Sequence, residues 1–221
     1  MTRSRSAPNL PRLPQVGEEW NAATARELTS TLQTWLKHTV LYTSEFYEAR
    51  WSSIKIMPQD LILRGVSDPT FTALLGNTYG YNFADAASNE VFFTIEVPES
   101  WAGGDTLYPY VRWSPSDTGV GTVRWELEYT LAKDGAVFPA TATLTGETAG
   151  TGVDNAHIKT DISSTGIDIT DQDIGLLIPC RLIRNGAHAN DTYTAAAALH
   201  SIGFAFLVDS LGAEHVFAKN F

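Results

Sequence analysis

The feature that most constrains the fold of this 221-residue chain is an unbroken alternation of apolar and polar residues over Thr122–Lys133, TVRWELEYTLAK. Successive side chains of a strand point to opposite faces of a sheet, so the alternation predicts a half-buried antiparallel strand. A helix would instead spread the same apolar residues around its whole circumference. The apolar face of the predicted strand comprises Val123, Trp125, Leu127, Tyr129 and Leu131.

The same alternation recurs in the two preceding segments, EVFFTIEVP (Glu90–Pro98) and LYPYVRWSP (Leu107–Pro115). Shorter strand-like segments, separated by turn residues, fill most of the chain after Arg50 and include DLILRG at Asp60–Gly65. Regularly spaced strands of this kind are typical of two packed antiparallel sheets. The sequence therefore predicts a mainly β fold, with a jelly-roll-like antiparallel β-sandwich over residues 49–221.

The apolar segment Ile174–Arg184 contains two informative residues, Pro179 and Cys180. Proline has no N–H to donate to a neighbouring strand, so Pro179 predicts an edge strand or a bulged one. Cys180 is the chain's one cysteine, which excludes a disulfide within the chain. Its apolar surroundings, LLIPCRLI, predict a buried and unreactive thiol rather than a nucleophile.

Two further segments precede the predicted sandwich. Residues 1–17 contain three prolines and almost no periodicity, so they cannot form a folded unit by themselves. They are interpreted either as a disordered tail or as an extended arm that anchors the protein to a partner. The anchoring interpretation rests on interspersed basic and apolar residues, namely Arg3, Arg5, Leu10, Arg12 and Leu13.

Residues 18–48 predict a single helix with a heptad-like apolar seam. The seam consists of Leu28, Leu32, Trp35, Thr39 and Tyr42. This helix either packs on the chain's own sheet or meets copies of itself around a symmetry axis. We favour a helical stalk that joins subunits, because the sequence predicts no second helix for it to pack against.

The segment Leu199–Asp209 predicts a strand without a polar face. Ile202, Phe204 and Phe206 lie on one face, while the opposite face carries small or apolar residues. A strand of this composition is usually covered on both sides, here by the helix or by a second copy of the chain. The predicted subunit interface on this strand comprises Ser201, Gly203, Ala205 and Leu207.

Charge and composition exclude several classes of function. The formal net charge is −10, which argues against binding to nucleic acid or to an anionic membrane. No segment approaches the ~20 apolar residues that a membrane helix needs, and no secretory leader begins the sequence, so we expect a soluble protein made in a reducing compartment. The histidines and the acids Asp168, Asp171 and Asp173 lack the spacing of known metal sites, so no metal or cofactor is expected.

Several stretches of the chain resemble a family of short bacteriophage virion proteins, often labelled tail-fibre or minor structural proteins. LRGVSDPTFTALLGNTYGYNF is similar to that family's RGvGApDPTFTAYRGtiYqYqF segment. EVFFTIEVP, GGDTLYPYVRW and GTVRWELEYTLAKDGAVFP are similar to its EVFFEFHVPHDY, GSDLYIHVHW and G.V.W.FEYTYAKG…FP strands. The ending, AFLVDSLGAEHVFAKNF, also fits, so the resemblance runs from about Trp51 to Phe221.

The resemblance implies a non-enzymatic component of a tailed-phage virion, such as a fibre, spike, collar or capsid-decorating protein. It implies a homo-oligomer, which we expect to be a trimer, assembled in the host cytoplasm and attached to a capsid, portal or tail protein. Relatives carry histidines in strands where this chain has Pro109 and Arg112. A metal or pH role based on those histidines is therefore not carried over.

Two other functions stay open at this point. A lectin-like head would bind host surface glycan through aromatic rings and polar neighbours in its loops. The candidate glycan-binding residues are Tyr79, Tyr81, Trp101 and Tyr193. A polysaccharide depolymerase would use Glu126 and Glu128, which share one face of their strand and would need to stand ~5–5.5 Å apart for a retaining mechanism. Arg124 shares that face, so a solvated strand with ion pairs is the favoured interpretation.

Overall fold

The computed structural model describes residue 26 and residues 29–36, 50–172 and 174–208. The chain divides into two compact units, Met1–Glu48 and Ala49–Phe221. In the first unit, residues 29–36 and residue 26 are helical, and the hydroxyl of Thr34 donates to the carbonyl of Ser30 at 2.9 Å. Leu32 is exposed and Trp35 is half-buried. The remaining seam residues Leu28, Thr39 and Tyr42, and the anchoring residues Arg3, Arg5, Leu10, Arg12 and Leu13, lie outside the described residues.

The described part of the second unit consists of strands, turns and a short 3₁₀-helix at Pro58–Asp60. The strands, in chain order, are β1 (Arg50–Ile56), β2 (Thr70–Leu75), β3 (Thr78–Phe83), β4 (Ser88–Glu96), β5 (Thr106–Pro115), β6 (Thr122–Tyr129), β7 (Ala142–Ala149), β8 (Ile158–Asp161), β9 (Ile167–Asp168), β10 (Leu177–Asn185) and β11 (Ala197–Val208).

These strands form two antiparallel sheets. Sheet I has the order β2-β3-β11-β5-β8, and β1 and β9 pair with β11 and β5 respectively. Sheet II has the order β4-β10-β6-β7. The two sheets share one apolar core, so the predicted antiparallel β-sandwich is confirmed. Among the described residues, no helix is long and apolar enough to span a membrane.

The core confirms the alternation from which the fold was predicted. Val123, Trp125 and Leu127 of β6 are fully buried, whereas the residues between them are only partly buried. The indole of Trp125 packs edge-on against Phe83 of sheet I, with ring centroids 5.1 Å apart, and lies 6.5 Å from the ring of Trp113. Large aromatic side chains therefore fill the space between the two sheets.

The prediction that Pro179 marks an edge or bulged strand is wrong. Pro179 lies in β10, which pairs with β4 on one side and with β6 on the other. Its carbonyl accepts a hydrogen bond from the N–H of Thr130 at 3.1 Å, but it has no N–H to return. The regular ladder with β6 therefore ends at Tyr129, and only the Ala132–Leu177 bridge continues beyond it. This explains why β6 is shorter than the predicted strand Thr122–Lys133.

The segment Asp60–Gly65 is not the predicted strand. Only Ile62 pairs, through hydrogen bonds in both directions with Phe92 of β4 at 2.8 and 2.9 Å. The carboxylate of Asp68 accepts the N–H groups of Arg64 and Gly65 and holds the following turn. The backbone therefore turns away after a single bridge, and β4 keeps a short protected edge.

Candidate functional site

The two carboxylates proposed for a depolymerase lie on the outer face of sheet II, and each is bound by an arginine. Arg124 Nε donates to Glu126 at 2.9 Å, and Arg181 Nη1 donates to Glu128 at 3.0 Å. Arg124 also contacts Glu147 of β7. Its hydrogen bond to Glu126 raises the pKa of Arg124. The arrangement is a network of ion pairs across neighbouring strands, the interpretation that the sequence favoured for this face.

Glu90 extends this network to the edge strand β4. Its side chain is only 2% exposed and contacts both Arg181 and Arg64, the latter at 2.7 Å. Both guanidinium groups lie over the ring of Phe92, at 5.8 and 5.4 Å from its centroid. Opposite charges and an aromatic face therefore hold three strands of sheet II together from outside.

A groove of about 870 Å³ lies where the end of β4 meets the start of β10. Its charged lining residues are Glu96, Glu99, Lys133 and Asp134, and its apolar lining includes Val97 and Leu176. Among the described residues, neither a histidine nor a cysteine lines it. The groove thus presents carboxylates beside one lysine and apolar side chains.

Two of the four predicted glycan-binding aromatics are core residues. Trp101 is 1% exposed and Tyr193 is 2% exposed, so neither ring can stack on a sugar. Tyr193 packs 6.1 Å from Trp113, and its hydroxyl donates to Asp117 at 2.7 Å. Burial, together with this acidic partner, raises the pKa of Tyr193. The assignment of Trp101 and Tyr193 to a glycan site is therefore corrected, because both loops fold back over the core.

The other two predicted aromatics lie together on the β2–β3 hairpin. Tyr79 is 55% exposed and Tyr81 is half-buried. Phe71 of β2 is 54% exposed, and its ring lies 6.0 Å from that of Tyr79 at an interplanar angle of 17° and 5.1 Å from that of Tyr81. We call Phe71, Tyr79 and Tyr81 the hairpin aromatic cluster. The register of the hairpin sets Phe71 opposite Tyr81 and on the same face as Tyr79.

The outer face of β11 is covered in part by side chains of neighbouring strands. Gly203 is buried beneath the ring of Tyr110, and a Cβ at position 203 would overlap Tyr110 Cζ. Ser201, Ala205 and Leu207 are half-buried. At Gly203, therefore, the small residue on this face is explained within the chain, because the ring of Tyr110 of β5 covers it. The assignment of these four residues to a subunit interface stays a prediction.

Asp168, one of the acids considered for a metal ion, instead holds a local turn. Asp168 Oδ1 accepts the N–H and the hydroxyl of Thr170 at 3.0 and 2.7 Å, which lowers the pKa of Asp168. Asp173 lies outside the described residues. Within the described ranges, no group of three or more histidine, cysteine or acidic side chains is arranged to hold a metal.

Comparison with known proteins gives little beyond the fold class. No family model matches the chain, and no curated protein matches it. Among solved structures, the chain is similar to TmCBM61, a carbohydrate-binding module determined in complex with β-1,4-galactotriose. The identity is 18%, the match covers 77% of this chain and 94% of the module, and the TM-score is 0.27.

Proposed function

We propose that this protein is a non-enzymatic structural component of a tailed-bacteriophage virion. It would be a homo-oligomer, anchored through its N-terminal arm and joined by its helix, that displays the β-sandwich on the particle. The observation that carries the proposal is where the phage-like sequence segments lie in the fold. They form the β2–β3 hairpin and the framework strands β4, β5 and β6, which supply core residues such as Phe93, Trp113 and Trp125.

The chemistry of the outer faces supports the same proposal. The acids of sheet II that a hydrolase would need are bound by Arg124 and Arg181. A protein with these properties acts by attachment and display rather than by turnover. The oligomer would be a trimer, and its partners on the particle would be capsid, portal or tail proteins.

Particle assembly tests the anchoring arm. A phage that encodes the protein without residues 1–16 should form particles lacking it, while the purified shortened protein keeps its oligomeric mass. A shortened protein that is still incorporated would contradict the anchoring role. The matched control carries a scrambled sequence of the same 16 residues, which keeps length and charge but removes the pattern of prolines and leucines.

Light scattering tests the helical stalk. Trp35→Glu on the predicted seam should lower the mass of the full-length protein to that of a monomer, because a buried carboxylate in a helix seam is strongly unfavourable. Gln33→Glu, two residues away at an exposed position, should leave the mass unchanged. A monomeric wild-type protein would overturn the oligomeric part of the proposal.

A lectin-like head is the second candidate, and the hairpin aromatic cluster favours it. Exposed rings such as Phe71 and Tyr79 offer flat apolar faces, and such faces on a protein surface often mark binding sites. Phe71→Ala and Tyr79→Ala should each weaken adsorption of the protein to host cells, whereas Leu75→Ala at the tip of the same hairpin should not. Equal adsorption by all three variants would exclude the cluster.

A viscosity measurement tests the depolymerase hypothesis directly. The purified protein should leave the viscosity of host polysaccharide unchanged over hours. A fall in viscosity that is abolished by Glu126→Gln or Glu128→Gln, but not by Glu147→Gln on the adjacent strand, would show that the protein is an enzyme and would overturn the non-enzymatic proposal.

A further inference from the structure

The outer face of sheet I carries aromatic and basic side chains on the strands β1, β5 and β8, and β11 lies between β1 and β5. The side chains on β1 and β8 are exposed, whereas those on β5 are half-buried or buried. Strand register places them on the same side of the sheet: Lys55 lies opposite Gly203, Gly203 opposite Tyr110, and Tyr110 opposite Asp161. Trp113 and Leu199 point to the core side, which fixes the outward direction of the alternate positions. We call the outward set the aromatic–basic face. It comprises Trp51 and Lys55 of β1, Tyr108, Tyr110 and Arg112 of β5, and Lys159 of β8.

Trp51 is the most unusual residue of this face, because its large ring is 63% exposed. The ring is nevertheless held in place, since it packs edge-on against Tyr108 with centroids 5.6 Å apart and an interplanar angle of 71°. Leu207 lies opposite Trp51 on β11. A fixed aromatic ring with one open face is suited to an apolar surface such as the C–H face of a sugar.

The basic side chains of this face differ from those of sheet II. Arg64, Arg124 and Arg181 of sheet II and its border all contact glutamates. On the aromatic–basic face, only Lys159 contacts an acid, Asp161. Within the described part of the chain, Lys55 and Arg112 form no ion pair. Two unpaired cations on one face of a protein with a net charge of −10 point to an anionic ligand.

Tyr110 positions the cations without neutralising them. Its ring lies against Gly203, with Lys159 Nζ at 4.8 Å and the guanidinium of Arg112 at 5.6 Å from its centroid. Such cation–π contacts orient the cations and leave their positive charge available to a ligand. A side chain at position 203 would lift the ring, so the glycine is part of this arrangement.

The dimensions of the face fit a short segment of a polymer. Lys55 and Lys159 lie on strands that are three inter-strand spacings apart, about 14 Å measured across the sheet. Trp51 and Lys55 lie four residues apart on β1, about 13 Å measured along the strand. Besides Asp161, the acid Asp105 lies near this face, directly before β5. Its carboxylate accepts the N–H of Leu207 at 3.2 Å. The face therefore combines one exposed stacking ring with cations about one nanometre away.

We propose that the aromatic–basic face binds an acidic polysaccharide, with Trp51 stacked on a sugar ring and Lys55 and Arg112 paired with its carboxylates. Single-stranded nucleic acid also combines flat rings with negative charge, but the proteins that bind it combine a positively charged groove with several stacking rings. This face offers one exposed ring, Trp51, and the two cations Lys55 and Arg112, which suit a short acidic oligosaccharide. This site is separate from the hairpin aromatic cluster, and binding by the purified protein does not depend on a place in the virion.

Titration of the full-length protein with oligogalacturonate, hyaluronate and polysialic acid tests the proposal. At least one of them should bind and quench tryptophan fluorescence, and the matching neutral ligand, such as methyl-esterified oligogalacturonate, should not. Lys55→Gln and Arg112→Gln should each weaken binding about tenfold, the usual effect of losing one charge-assisted hydrogen bond. Trp51→Ala should weaken binding and remove the quenching. Lys133→Gln, an exposed cation elsewhere, should bind as the wild type does.

Several outcomes would overturn the proposal. Failure of all three acidic polymers to bind, equal affinity for the neutral ester, or unchanged affinity in the Lys55 and Arg112 variants would each exclude this site. Tighter binding to oligo-dT than to any acidic polysaccharide would assign the face to single-stranded nucleic acid. A fall in the mass of the protein in solution on Trp51→Ala would assign it to a contact between copies of the chain. Thermal melts of each variant identify any loss of folding.

Discussion

Arg184 and Asp191 form an ion pair in which neither side chain is exposed to solvent. Arg184 Nε and Nη2 donate to the two oxygens of Asp191 at 3.0 and 2.9 Å. The three other N–H groups of Arg184 donate to the carbonyls of Phe83, Ala195 and Tyr193 at 2.9, 2.7 and 2.6 Å. All five donors of this guanidinium are thus used, and they fasten the loop before β11 to the strands β3 and β10.

The first prediction concerns this pair. Asp191→Asn should lower the free energy of unfolding by about 3–5 kcal/mol, because it leaves the Arg184 charge buried without its counter-charge. Urea denaturation followed by tryptophan fluorescence measures the change. Asp161→Asn is the matched control, since its pair with Lys159 is exposed and such pairs contribute about 0–1 kcal/mol. Equal effects of the two substitutions would contradict the buried-pair interpretation.

The second prediction concerns the contact between Gly203 and Tyr110. Gly203→Ala should destabilise the sandwich, because the new methyl group overlaps the tyrosine ring. In a Tyr110→Ala background the same substitution should cost less, since the ring is gone. A double-mutant cycle by urea denaturation should give a coupling energy of about 0.5–3 kcal/mol, the range for residues in contact. Additive effects would show that Gly203 is needed for another reason.

The strands were predictable where a segment carries its own pattern. The alternation of Val123, Trp125 and Leu127 needs no knowledge of the neighbouring strands to identify the buried face. The place of a strand within its sheet does need that knowledge, because it depends on pairing between distant segments. Pro179 therefore indicated an edge, whereas the structure places it in an interior strand that omits one hydrogen bond.

The candidate sites were harder to predict for the same reason. Trp101 and Tyr193 occur among loop residues, but their loops fold back onto the core, and Tyr193 is held there by Asp117 and by contact with Arg184. Trp51 and Lys159 are over a hundred residues apart, and only the order of β1, β11, β5 and β8 brings them to one face. The seam and the arm were predicted from helical spacing and composition, and both stay predictions.

The third prediction concerns the reactivity of Cys180. Burial raises the pKa of this thiol to about 12, so almost no thiolate exists at neutral pH. Iodoacetamide should therefore modify the folded protein very slowly and the urea-unfolded protein rapidly, as measured by mass spectrometry over time. A Cys180→Ala variant confirms the site of modification. Rapid modification of the folded protein would show that β10 opens locally or that the thiol is accessible.

The last prediction concerns His200, which lies where the register of β11 against β5 shifts. Its Nε2 is 2.9 Å from the hydroxyl of Ser114, and its ring lies 5.7 Å from that of His157. Burial, and secondly the charge of His157, lower the pKa of His200 below its ordinary value of 6.5. Well above pH 6.5 the ring is neutral in both the folded and the unfolded chain, so it imposes no dependence on pH there.

As the pH falls below this value, the unfolded chain takes up the proton more readily than the folded one, so the folded state loses stability until the pH passes the lowered pKa. Melting temperatures measured between pH 8 and pH 5 should therefore decrease more for the wild type than for His200→Gln, which keeps a polar partner for Ser114 but does not titrate. His157→Gln should reduce the dependence in part, because it removes the second cause of the shift. Parallel pH curves for the wild type and His200→Gln would show that His200 is not the titrating group.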